Sequence, residues 1–354
     1  VTGILLQSAW KDFEAVQDQF TWSANDAIIN ACWQQGLVVM LSLGMGGGGQ
    51  SPAYIMNDNV TYPKISFIDL NCHHSTYWTM VPSPIPWEPN YLARKSRFIA
   101  QAGLHYATHP AVRSVQVQFA STGQANDWGL PRNVGTISQL SQSDCFTTTG
   151  VTINVDQVSD WLNVGYTTDK MMAAGQQVLN ATAYAFPNQQ VILAVGLAPD
   201  DTPTAQVGQL DTAVGTLPDG IMNWAYGLTA WGHRFQPQDE RLKISNATAT
   251  DPLVVNAKND NGYVRYQIMA NHPGMMGWQM GGAATDLTKY RLNNGNPYPV
   301  GQMGEILQAC CNIGLTYTPR AIQIWNADTT SADSGIRAAI LSISDSIRTS
   351  FAQV

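Results

Sequence analysis

The chain has 354 residues, 44% of them apolar and 12% charged, with a net charge of −7 and no block of either sign. That apolar content supports a sizeable core, while the charged share is about half the usual one, so Gln, Asn, Ser and Thr must make up much of the surface, as in many exported proteins. No Lys/Arg stripe argues for nucleic acid, and no apolar run reaches the ~20 residues of a membrane span.

The chain opens with a buried strand, Gly3 to Trp10, followed by a polar loop holding Lys11, Asp12 and Glu14. Ser23 is a candidate N-cap for a helix whose Ala27, Ile28, Ala31 and Cys32 recur at helical spacing and which ends at Gly36. A second strand, LVVMLSLGMG, completes a βαβ unit. Four glycines follow, Gly46 to Gly49, without the Lys-Ser/Thr ending of a phosphate-cradling loop.

A Pro-, Asn- and aromatic-rich segment from Ser51 to Pro89 holds a predicted third strand, Tyr77 to Val81. Asn90 to His109 reads as a helix with Leu92, Phe98, Ile99, Leu104 and Tyr106 on or near one face, ended by Pro110. The fourth predicted strand starts at Arg113, and its alternation runs through SVQVQF before a polar turn presents Asn126, Asp127 and Trp128. A long polar loop from Ser121 to Asp156 precedes one or two helices over Asp160 to Phe186.

Strands five and six are expected at Val191–Leu197 and Gly220–Tyr226, with a short helix, Thr204 to Val214, between them. A polar stretch through Thr250 and a helix at Asn261–Ala270 come next. Strand seven is Gly274–Met280, a helix covers about Gly301–Asn312, and strand eight is Arg320–Trp325. Ser334 to Phe351 closes the chain as an amphipathic helix with Ile336, Ala339, Ile340, Ile343 and Ile347 inward.

Eight strands with helical sequence between them, and no repeat or linker, predict an α/β chain forming one (β/α)8 TIM-type barrel over residues 1–354, with long loops after strands 2 and 4. A doubly wound open sheet fits less well, because it rarely uses so many strands and usually carries a phosphate-type first turn. The start at Val1, without a basic n-region, is consistent with a leader already removed, and a secreted, extracellular location is expected. Sequons at Asn59, Asn180 and Asn246 matter only in a eukaryotic secretory route.

Of the five cysteines, none has metal-ligand spacing. Cys72 and Cys145 fall in polar loops that such a barrel places on one face, and a disulfide between them is expected. Adjacent His73 and His74 diverge, and no HxxxH or HxH spacing with a carboxylate supports them, so no metal is expected; no cofactor is expected either.

In a barrel the site lies at the carboxyl ends of the strands. Trp10, Trp78, Trp87, Trp128, Trp224, Trp278 and Trp325 all fall at or near such ends, joined by Tyr226. Any one indole there is more often a core residue, but their shared location suits stacking on sugar rings, with amides and carboxylates bonding the hydroxyls. A carbohydrate is therefore the expected partner, and self-association is a further expectation from the low-charge, amide-rich surface.

Glycoside hydrolysis needs two carboxylates, about 5 to 5.5 Å apart if one is a nucleophile and wider if water attacks directly. Asp127 is the candidate acid, although Asp in a loop is most often a cap or turn residue. Glu14, after strand one, and Glu88, in the long loop, are the glutamates nearest the predicted rim; Asp12, Asp200 and Asp328 are further rim carboxylates.

The stretch WKDFEAVQDQFTWSANDAIINACWQQGLVVMLSL resembles the opening of the clan A barrel glycoside hydrolases, and PWEPNYLARKSRFIAQAGLHYATHPAVRSVQVQFASTGQANDW is similar to their stretch through strand four. The resemblance implies a sugar-cleaving barrel with Asn-Glu after strand four, the Glu being acid/base, and a nucleophilic Glu at the end of strand seven. Here Asn126-Asp127 matches the first position and Trp278-Gln279 the second. A Gln cannot form a glycosyl ester, and Gln323 on strand eight is likewise an amide. Three accounts follow: a different carboxylate pairing around Asp127, a barrel that binds sugar without cleaving it, or a structural or assembly subunit built on the same fold.

Overall fold

The computed structural model describes residues 3–47, 49–70, 72, 74–117, 133–143, 145, 147–195, 235–242, 277–280, 303–315, 321–324, 328 and 330–351. Its contacts divide the chain into two compact units: Thr2–Gln142 with Thr147–Ile221, and Ser143–Phe146 with Met222–Val354 and Val1.

The first unit is built on four parallel strands in the order β1 (Gly3–Ala9), β2 (Val38–Gly44), β5 (Val112–Val117) and β8 (Gln190–Val195). Leu6 faces Leu41 in register, Leu41 faces Val115, and Val115 faces Val191. Val39, Leu41 and Leu43 are all buried, together with Ser42 between them; parallel strands covered on both faces read as such continuous apolar runs.

Helices connect these strands. The one-turn α1 (Trp10–Phe13) and then α2 (Ser23–Gln34) follow β1, and α3 (Ala53–Met56) and α4 (Pro89–Tyr106) follow β2. α5 (Gln157–Asn163) and α6 (Thr168–Ala185) precede β8. α4 and α6 meet at Gly103, where a Cβ atom would come within 2.4 Å of the Ala185 carbonyl oxygen, so only glycine lets the two backbones approach.

Several expectations change here. β1 stops at Ala9, and Trp10 opens α1. Ser23 is the first residue of α2 rather than its cap; Trp22 holds the cap position and no side chain caps the helix. The buried positions of α2 are Asn25, Ile29 and Cys32, and Ile28 is 42% exposed. On α4, Leu104 is 79% exposed, and Tyr91 and Lys95 complete the buried face instead.

The largest correction concerns the third strand. The 51–89 segment forms an antiparallel pair, β3 (Lys64–Ile68) with β4 (Met80–Pro84), outside the parallel sheet. Consequently Val112–Val117, expected fourth, is third and pairs directly with β2. The loop after it also contains a hairpin that its polar composition concealed, β6 (Val134–Leu140) with β7 (Thr148–Asp156).

Among the described residues the second unit has three parallel strands, β9 (Phe235–Leu242), β10 (Gly277–Met280) and β11 (Ala321–Gln323). β9 occupies sequence read as a polar stretch. Helix α7 (Met303–Leu315) joins β10 to β11, and α8 (Ser334–Phe351) packs on α7 with Ile336, Ala339 and Ile343 buried. The expected elements at 204–214, 220–226 and 261–270 lie outside the described residues. None of the described helices is long and apolar enough to cross a membrane.

Candidate functional site

At the end of β1, Trp10 is fully buried, its ring stacked 5.3 Å from Phe98 and 6.2 Å from Tyr91. It is a core residue here and offers no open face to a sugar. Its Nε1 donates to Glu14 Oε2 at 2.7 Å, while Glu14 Oε1 accepts from Arg94 Nη2 and the Asp18 amide, each at 2.7 Å. Glu14, 1% exposed, is thus a buried anion with both oxygens engaged. Arg94 also donates to Asp18 and to the Tyr54 hydroxyl, joining α1, α3 and α4.

Glu88 has a different task. It is the N-cap of α4, accepting the Tyr91 amide at 2.7 Å, with Pro89 behind it at the first helical position. Asn90 Nδ2 donates to its other oxygen at 3.2 Å. Asp12 Oδ2 accepts from the Ala9 amide, and Asp328 is fully buried.

Trp87 is partly exposed and belongs to an aromatic cluster. Its ring lies 5.7 Å from Trp161 and 5.5 Å, edge-on, from Tyr166, and Phe67 of β3 packs 4.7 Å from Trp161. Of the candidate stacking residues with described side chains, Trp87 and Trp78, the latter in the β3–β4 loop rather than at the end of a sheet strand, are partly exposed, and Trp10 is not.

The glycine run after β2 is a folding device. Gln50 Oε1 accepts the Gly46 amide at 2.8 Å, Ser51 Oγ donates to the Gly46 carbonyl at 2.7 Å, and the Tyr91 hydroxyl donates to the Met45 carbonyl. A Cβ on Gly47 would sit 2.8 Å from Ser83 of β4, so glycine lets the β3–β4 pair close on this loop.

The loop joining β3 to β4 turns on Asp69. Its carboxylate bonds His74 Nδ1 at 2.9 Å and accepts the Thr76 hydroxyl at 2.6 Å. Cys72, in the same loop, is disulfide-bonded, as is Cys145; Cys32 is a buried free thiol. His109, at the end of α4, bonds Asn30 and the Ala111 amide, a structural role. Among the described residues no group of three His, Cys, Asp or Glu could hold a metal ion.

Asn126, Asp127, Trp128, Trp224, Tyr226 and Trp325 lie outside the described residues. Trp278 and Gln279 are placed by backbone on β10, and Gln323 on β11. Gln279 and Gln323 are register partners on these adjacent parallel strands, so the two amides occupy matching positions along the sheet. The Arg94 network was not foreseen, because an Arg eighty residues from its Glu leaves no local signal.

No family model matches the chain, and no curated protein matches its sequence. Solved structures do match. A β-galactosidase from Rahnella sp. R3 aligns with a TM-score of 0.52 and 11% identity, covering 98% of this chain and 51% of its own. A β-galactosidase from Marinomonas ef1 aligns with a TM-score of 0.51 and 11% identity, covering 96% and 54%. The chain spans about half the length of either enzyme. It has an α/β fold shared with glycoside hydrolases.

Proposed function

We propose that the chain is a secreted (β/α)8 protein of glycoside-hydrolase type that binds a polysaccharide or oligosaccharide in an aromatic-lined groove at its strand ends. The observation that carries this reading is the fold match to two β-galactosidases along nearly the whole chain. The described strands β1, β2, β5, β8, β9, β10 and β11 would be seven of the eight barrel strands. On that count β5 is strand three, and the carboxylates that follow strand four, β8, in sequence are Asp200 and Asp201. Trp87, Trp224, Tyr226, Trp278 and Trp325 are the ring contacts proposed, with Asn126, Trp128, Gln279 and Gln323 beside them. Cys72 is proposed to pair with Cys145.

A second reading, a non-catalytic carbohydrate-binding or assembly protein, is favoured by one set of contacts. Glu14 and Glu88 are both committed to structural hydrogen bonds, and the strand-seven position carries Gln279. Hydrolysis therefore rests on Asp127 with Asp200 or Asp201.

The deciding experiment is a reducing-end assay on a polysaccharide panel with the unaltered protein and its Asp127→Asn, Asp200→Asn and Asp201→Asn variants, alongside binding to the same panel. Activity lost in one variant establishes a glycosidase and identifies its acid. Binding without activity establishes the second reading, and neither binding nor activity refutes both carbohydrate readings.

A further inference from the structure

Trp78, in the loop between β3 and β4, has a φ of 61°. That left-handed backbone normally takes Gly, Asn or Asp, and a bulky side chain there is a genuine outlier. The surroundings enforce it. The Trp78 amide donates to the Asp69 carbonyl at 2.7 Å, and the Asp69 amide donates to the Thr79 carbonyl at 2.9 Å. The Thr79 amide and hydroxyl both donate to the Thr76 carbonyl, at 3.0 and 2.6 Å. The Asp69 carboxylate holds Thr76 and His74 as described, and Cys72 is disulfide-bonded.

The preceding residue is anchored inward. Tyr77 is 7% exposed, and its hydroxyl accepts the Leu140 amide from β6. Gln142 Nε2 reaches the His74 carbonyl at 3.2 Å. Trp78, by contrast, keeps its indole partly exposed, 5.6 Å from the Tyr77 ring and next to exposed Thr76, Thr79 and Met80. A braced loop that holds a large flat ring at the surface in a disfavoured conformation points to a use for the ring itself.

We propose that Trp78 is a carbohydrate-stacking residue, a contact point for a polysaccharide additional to the strand-end groove. The indole face takes the C–H face of a sugar ring, and the Thr76 and Thr79 hydroxyl oxygens, whose protons point inward, accept from sugar hydroxyls. The proposal rests on the carbohydrate reading above.

The test measures affinity for soluble xylan, galactan and mixed-linkage β-glucan by affinity electrophoresis, using the unaltered protein, Trp78→Gly and Trp78→Phe. Glycine adopts the left-handed backbone without strain, so Trp78→Gly is expected to keep its thermal midpoint within about 2 °C and to bind at least about tenfold more weakly, a loss equal to one decade in the binding constant. Trp78→Phe, which keeps a ring, should stay within about threefold, a change small on that same scale. Unchanged affinity in Trp78→Gly overturns the proposal. Should that variant fail to fold, hydroxyl-radical footprinting of the unaltered protein decides: saturating polysaccharide should protect Trp78, and unchanged labelling overturns the proposal. If the unaltered protein binds none of the three, the carbohydrate reading itself falls, and this inference with it.

Discussion

Trp10 Nε1 and Glu14 Oε2 lie 2.7 Å apart, one turn from each other, in a pocket that leaves the carboxylate 1% exposed. The same carboxylate holds Arg94 from α4, so the chain leaving β1 is tied to a helix that enters the sheet two connections later. Breaking a buried pair by removing one partner strands the other charge, at a cost of about 3–5 kcal/mol. Because Arg94 would keep Asp18 and Tyr54, Glu14→Ala should lower the unfolding free energy by no more than the low end of that range, about 3 kcal/mol, in urea titration. Any sugar binding by the folded fraction should be unchanged, and a lost affinity at full folding would instead place Glu14 at the site.

Glu88→Ala removes the side-chain cap of α4. The expected loss is about 1 kcal/mol, typical of a cap, seen as a lower urea midpoint. Asp at the same position should restore most of it. A much larger loss, with activity abolished, would make Glu88 a catalytic group after all.

Burial holds the Lys95 ammonium down, from 10.5 to about 7, with its Nζ 4.5 Å from the centre of the Tyr91 ring. A base whose folded pKa is depressed binds fewer protons folded than unfolded between the two values, so stability rises with pH across that window. Between pH 7 and 10.5 the rise should approach about 1.4 kcal/mol per pH unit for one proton. Chemical denaturation at several pH values checks it: Lys95→Met should flatten the slope, and an unchanged slope would assign it elsewhere.

Asp156, the N-cap of α5, shows the same sign in a more acidic window. Its carboxyl is held below its ordinary 3.8 chiefly by the Ser159 amide, with the Ser159 hydroxyl second. The stability it contributes is complete above that ordinary value and is lost as the pH falls through the lower folded one. Asp156→Ala should cost about 1 kcal/mol at neutral pH and little near pH 2, measured by urea unfolding at both.

Peptide mapping without reductant should recover Cys72 and Cys145 in one linked fragment, and Cys32 as a thiol. Reduction should cost about 2–4 kcal/mol. Recovery of Cys72 and Cys145 in separate fragments would refute the pairing.

Much of the scaffold was legible because periodicity reports burial. α8 runs over the residues expected, and its Ile336, Ala339 and Ile343 are inward. β2 and β8 stand out as apolar runs because both their faces are covered. β9, FQPQDERL, has no such run, so nothing in its composition marks a strand. The β6–β7 hairpin is hidden for a related reason: β7, TTGVTINVD, is largely exposed, so its alternation has no buried face to announce.

At the site, residue type was readable and direction was not. The indole of Trp10 follows β1 as a rim residue should, yet the α4 face, with Tyr91 and Phe98, draws it into the core. Glu14 and Glu88 were chosen for their charge and position after strands. Only the fold reveals that a distant guanidinium and a neighbouring helix amide claim them.

The β3–β4 pair also bears on how the chain folds. β2 must find β5 across the whole intervening segment, a non-local pairing whose closure entropy comes before its reward. β3 and β4 are neighbours in sequence, with Ile68 opposite Met80, so they can zip together first. Once paired, they take slack out of that segment and shorten the effective search that brings Val115 beside Leu41. An insertion that closes on the loop after β2 in the finished molecule can thus serve, during assembly, as a local step toward a non-local contact.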